Sequence, residues 1–95
     1  LKNSILKSKE VVMNEILIGT VSDYFARIGV AGIDLTGPLK VGDRIRIEGH
    51  TTELDFIVSS MQIDCQEVSE AQAGDSVGIS VPERARKGDK VYKIV

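Results

Sequence analysis

The 95-residue chain has no tryptophan and only two tyrosines and two phenylalanines (Tyr24, Phe25, Phe56 and Tyr92). With so little aromatic surface the core must come from Ile, Val and Leu. β-Branched side chains lose less freedom on a pleated surface, so this composition favours strands over helices. Cysteine occurs once, at Cys65, which excludes an intrachain disulfide and points to reducing, intracellular surroundings. No apolar run approaches the roughly 20 residues that span a bilayer. Asn14 and Glu15 also interrupt the stretch from Val11 to Ile18, where a signal peptide would need continuity. The expectation is a cytoplasmic protein without membrane contact.

Chemistry is equally sparse. His50 is the only histidine, beside Gly49 in a turn, and no Ser or Cys is placed as its partner in a triad. Cys65 lies between Asp64 and Gln66, where neighbouring acids disfavour its thiolate. No cluster of nitrogen or sulfur ligands is spaced for a metal. No G-x-x-x-x-G-K-[ST] loop is present to cradle a phosphate. Carboxylates are plentiful, but nothing pairs two of them for acid–base work. We therefore expect no enzyme activity, no metal, no nucleotide and no other cofactor.

What the chain does have is an uneven charge. Its net charge is -2, yet residues 48–83 contain eight acids and no Lys or Arg. Residues 84–93 then hold Arg84, Arg86, Lys87, Lys90 and Lys93 against Asp89 alone. Two readings stay open. These blocks are solvated strand faces that average out on folding, or they polarise the domain so that its basic end meets an anion.

The patterned region opens at Met13. Residues 1–13, with Ser4 able to cap a short helix through Lys7, Lys9 and Glu10, are expected to be an N-terminal arm, disordered or left over from recombinant expression. Residues 14–95 are expected to form one domain. From Ile16 to Phe25 the chain is strand-like. A phase shift at Gly32 between Ile28–Ala31 and Ile33–Leu35 reads as a β-bulge. Thr36–Gly37–Pro38 is a turn. Arg44–Ile45–Arg46–Ile47 alternates strictly, with Ile inward and Arg outward. Leu54, Phe56 and Val58 share a face; at Ser59–Ser60 the phase flips to Met61 and Ile63, as in one long bent strand that closes a barrel. Val77, Ile79 and Val81 alternate until Pro82 ends the run. Lys87–Gly88–Asp89 turns into Val91–Val95. Gly42 and Gly74 each precede an Asp at the start of a strand, a structural pairing. The fold class expected is all-β: six or so short strands in a small barrel or sandwich, with the phase shifts favouring a barrel.

The order Leu39–Lys40–Val41–Gly42–Asp43–Arg44–Ile45, Ser60–Met61, Val68 to Ile79 and Lys87–Gly88–Asp89–Lys90–Val91 resembles the second domain of translation elongation factor Tu, over residues 16–95. The resemblance implies a small closed Greek-key barrel of six or seven strands, of the elongation factor second-domain type. Two departures, Ile33 where relatives often carry Arg and Ser60 where aminoacyl-tRNA binders carry an acid, make the chain look more like freestanding elongation-factor-like barrels, or the similar barrel appended to collagenase-like peptidases. The expected function is a non-catalytic module contacting RNA or a ribonucleoprotein. Arg84, Arg86, Lys87, Lys90, Arg44 and Arg46 would grip phosphates, with pairing of the first four to Glu83 and Asp89 as their ordinary alternative. A protein-interaction module docking on a separate enzyme or GTPase is the second reading.

Overall fold

Alternating apolar residues become ten strands in the computed structural model, which describes residues 14–95. They are β1 (Glu15–Phe25), β2 (Val30–Leu35), β3 (Leu39–Lys40), β4 (Arg44–Glu48), β5 (Glu53–Ile57), β6 (Met61–Ile63), β7 (Gln66–Glu67), β8 (Glu70–Ala71), β9 (Ser76–Ser80) and β10 (Lys90–Ile94). Eight form one sheet in the order β5–β4–β10–β1–β2–β9–β6–β7, while β3 and β8 pair separately. The all-β expectation is met: every element among the described residues is a strand, and no helix is long and apolar enough to cross a membrane. The arm expected over residues 1–13 lies outside the described residues.

The ladders do not close the ring expected of a barrel of six or seven strands. Their order has two ends, β5 and β7, and among the described residues no ladder joins them. The supposed long strand from Leu54 to Ile63 is the reason. The chain leaves strand conformation over residues 58–60. Its two halves, β5 and β6, then pair at opposite ends of the sheet, β5 with β4 and β6 with β9.

The bulge read at Gly32 is also displaced. Ala31, Ile33 and Leu35 are all buried, so β2 keeps one phase. The extra residues lie on β1: Ser22 between the pairs Val21–Ile33 and Asp23–Gly32, and Ile18 between Leu17–Tyr92 and Gly19–Val91. Each bulge bends the strand and strengthens its twist, which lets one 11-residue strand serve two neighbours.

Three turns of one sequence pattern hold the chain ends of these strands. In Lys40–Asp43, Gln72–Asp75 and Arg86–Asp89 the third residue is Gly, with φ of 99°, 96° and 95°. The Asp amide donates to the first residue's carbonyl at 3.0 Å in each. This is a type II turn, which demands a positive φ at its third position. The Asp carboxylate accepts a hydrogen bond from the first residue's amide at 2.8–2.9 Å. Each turn is then sewn to a buried residue by a reciprocal pair: Gly42 N–H to Val58 O with Val58 N–H to Asp43 O, Gly74 and Asp75 likewise with Leu35, Gly88 and Asp89 with Val21, all at 2.8–2.9 Å. A buried residue precedes every turn (Leu39, Ala71, Ala85), and another follows two positions after the Asp (Ile45, Val77, Val91). All of these side chains belong to one apolar cluster.

Candidate functional site

The six cations singled out in the sequence separate into two groups. Arg44 and Arg46 do lie outward of Ile45 and Ile47, as the alternation requires. Both are already engaged. Arg44 clasps Asp55 with two parallel hydrogen bonds of 2.8 and 2.9 Å. Arg46, half-buried, meets Glu15 at 2.7 Å, Glu48 at 3.0 Å and Glu53 at 3.2 Å, with its guanidinium 5.1 Å from the Tyr92 ring centroid. These contacts tie β1, β4, β5 and β10 together. The hydrogen bond from Arg46 holds the Glu15 carboxyl below its ordinary value, and that from Arg44 does the same to Asp55. In the same exchange the Arg46 pKa rises further above its already high value. A guanidinium surrounded by three carboxylates, as that of Arg46 is, has little left to offer a phosphate.

Arg84, Arg86, Lys87 and Lys90 have no such partners. None of them forms an ion pair among the described residues. Arg84 lies over the Tyr24 ring at 5.7 Å, and the Arg86 Nε donates to Thr51 Oγ1 at 2.9 Å. The expected neutraliser Asp89 is buried, with its carboxylate turned inward onto the Arg86 amide. Pairing these cations with Glu83 and Asp89 is therefore not what the structure forms.

A groove with no signature in the local pattern lies on the outer face of β1, β2, β9 and β6. Its row of facing residues runs Asp23, Gly32, Gly78, Gln62. Two glycines opposed across adjacent strands leave bare backbone as the floor. Side chains added there would meet Ser22 Oγ at 3.1 Å and Val30 Cγ1 at 3.2 Å, so the walls stand close. The hollow measures about 380 Å³. At one end stand Phe25, Ile28 and Val30; Phe25 is 47% and Ile28 67% exposed. A second hollow of about 520 Å³ adjoins, formed by the Phe25–Ile28 turn. At the other end are Ser76, which donates to Asp34 Oδ1 at 2.8 Å, and the Asp64–Cys65 turn. Asp64 and Cys65 take φ of 51° and 65°, the left-handed values that a two-residue hairpin joining Ile63 to Gln66 requires. Register alone, which no local pattern reveals, places the glycines face to face.

No nucleophile–base pair is assembled among these groups. His50 and Cys65 are both exposed, and no group of three or more His, Cys, Asp or Glu is placed to hold a metal among the described residues.

Comparison with known proteins corrects the kinship read from the motifs. No protein-family model matches the chain. It is similar to an uncharacterised protease of Methanocaldococcus jannaschii, 40% identical over 79 residues, covering 82% of this chain and 19% of that protein. It is also 36% identical over 81 residues to a collagenase of Porphyromonas gingivalis, covering 83% of this chain and 20% of the collagenase. The chain thus spans about a fifth of the length of the curated relatives it matches. Among solved structures, the C-terminal domain of a Geobacillus thermoleovorans protein assigned to the U32 peptidases superposes with a TM-score of 0.76 at 15% identity, covering 80% of this chain and 96% of that one. That likeness establishes a shared fold. The translation-factor kinship, and with it the RNA-contacting module and the separate GTPase partner, is overturned by these relatives. The motifs behind it, Val41–Gly42–Asp43 and its repeats, are the turns that build the sheet, and they carry fold without carrying function.

Proposed function

We propose that this chain is an accessory β-domain of a protease-type protein, engaging polypeptide while the cutting is done by residues outside it. The observation that carries this reading is the 40% identity over 82% of the chain to a fifth of a protein named a protease. A module that recurs almost whole within much longer proteases is suited to holding a substrate, or the enzyme's own body, in place. The groove over Gly32 and Gly78 supports the first of these. It is concave, apolar at one end, and floored by backbone that an extended chain can approach closely. We further infer that the eight-stranded sheet curls into a barrel around its single core. The reciprocal bonds from the three turns to Val58, Leu35 and Val21 support such closure without a continuous ladder.

The test is to express a protease that contains this domain, with and without it, and to follow cleavage of gelatin and of a short fluorogenic peptide. Removal should slow the cleavage of gelatin far more than that of the short peptide. Equal loss on both substrates, or none on either, overturns the accessory role. The isolated chain should cleave neither.

A further inference from the structure

We propose that the groove over Gly32 and Gly78 binds an extended polypeptide carrying an apolar side chain and, four residues along, a lysine or arginine. The inference rests on the polypeptide-engaging reading above and adds the chemistry that the groove selects.

Charge complementarity sets the ligand. One end of the groove is apolar, with Phe25 and Ile28 exposed where a soluble surface has no need of them. The opposite end is acidic. Asp64 lines it, and Asp34 stands one hydrogen bond behind Ser76. Among the described residues no lysine or arginine lines it, so none of them supplies the acidic end with a counter-charge. Arg84, Arg86, Lys87 and Lys90, which form no ion pair among the described residues, do not line it.

Spacing sets the register. Val30 and Asp34 mark the two ends on a single strand, and four residues at about 3.3 Å each separate them by roughly 13 Å. An extended ligand lying along β2 advances by the same step. Side chains on one face of such a ligand recur at alternate positions, so an apolar residue between Phe25 and Ile28 puts its fourth successor beside Asp34 and Asp64. The position between them lies over the glycine floor, flanked by Ser22, Asp23 and Gln62.

The full 95-residue chain, labelled with nitrogen-15, tests this at low salt. Three acetylated and amidated pentapeptides are titrated: Leu-Ser-Gly-Ser-Lys, the same with Glu for Lys, and the same with Ser for Leu. The first should move the amide resonances of Gly32 and Gly78 and slow alkylation of the exposed Cys65 thiol. The Glu peptide should bind about threefold more weakly, and the Ser peptide about tenfold. Two exposed substitutions avoid any question of folding. Ile28→Ser should weaken the Leu peptide by about tenfold. Asp64→Asn, at a backbone conformation asparagine adopts readily, should abolish the preference for Lys over Glu. Four results overturn the proposal: no shift at Gly32 and Gly78 with any peptide, equal binding of all three, shifts confined to residues 84–90, or displacement by a single-stranded RNA that moves the same glycines more strongly. If these peptides fail while domain removal still slows gelatin cleavage, only the groove's selectivity falls. If removal has no effect while the peptides bind as stated, the accessory reading falls and the site stands.

Discussion

Gly49 and Asp89 show how far a single position is set by a distant neighbour. Asp89 is 6% exposed, and its carboxylate Oδ2 accepts the Arg86 amide at 2.8 Å. Its other oxygen, Oδ1, occupies the space a Cβ at Gly49 would need. Gly49 is required there by contact, not by φ. Gly49→Ala should therefore cost about 1–3 kcal/mol, as overpacking does, read from urea denaturation midpoints. Asp89→Ala alone leaves the Arg86 amide unpaired and should cost about 1 kcal/mol or more. The two should not add, because removing the carboxylate makes room for the new methyl group. Additive losses would refute the contact account. Nothing near Gly49 in the sequence announces Asp89, whereas the φ requirement of Gly42 could be read from the Gly–Asp pair itself.

Among the elements, β1 and β4 mark the limit of what pattern reveals. Arg44–Ile45–Arg46–Ile47 could be read because its alternation is strict and local. The partners of Arg46 could not, since Glu15 is 31 residues away. The bulges at Ile18 and Ser22 were hidden for a related reason: Ile16, Leu17 and Ile18 are all apolar, so the run carries no phase to slip. The ion pairs make a pH prediction. Glu15 and Asp55 have carboxyls lowered from 4.5 and 3.8 by their arginine hydrogen bonds. A carboxyl depressed in the folded state contributes stability above its unfolded value, and loses it as pH falls through the folded one. Stability from these pairs should be constant above about pH 5 and decline progressively as pH falls below it. Both groups are solvent-exposed, so the effect is small. The double variant Glu15→Gln/Asp55→Asn should start less stable at pH 7 and lose less between pH 5 and pH 3. Parallel urea-midpoint curves for the two proteins over that range would contradict this.

At the scale of the whole molecule, the class of fold could be read. The kinship ranked first, to elongation factors, failed, while the second likeness, to the barrel of collagenase-like peptidases, agrees with the relatives. Both facts have one origin. The stretches ending in Gly42–Asp43, Gly74–Asp75 and Gly88–Asp89 dominate the sequence signal because type II turns have strict demands, and those demands belong to the backbone. Their threefold recurrence is a statement about architecture. The groove, made of register, leaves no such trace. If the turns are equal devices, they must cost equally to spoil. A Cβ at Gly42, Gly74 or Gly88 would meet nothing within 4 Å, so only backbone conformation opposes alanine there. Each Gly→Ala change should then cost about 1–2 kcal/mol. Distant, independent sites add, so the triple variant should lose about 3–6 kcal/mol. A domain of this size has a total stability of about 5–10 kcal/mol. Each single variant should remain folded by circular dichroism at 25 °C, with similar drops in urea midpoint. The triple variant should be at or near its unfolding transition without denaturant. A triple variant that falls no further than one single variant would mean the turns share a common strain and are not three separate fastenings.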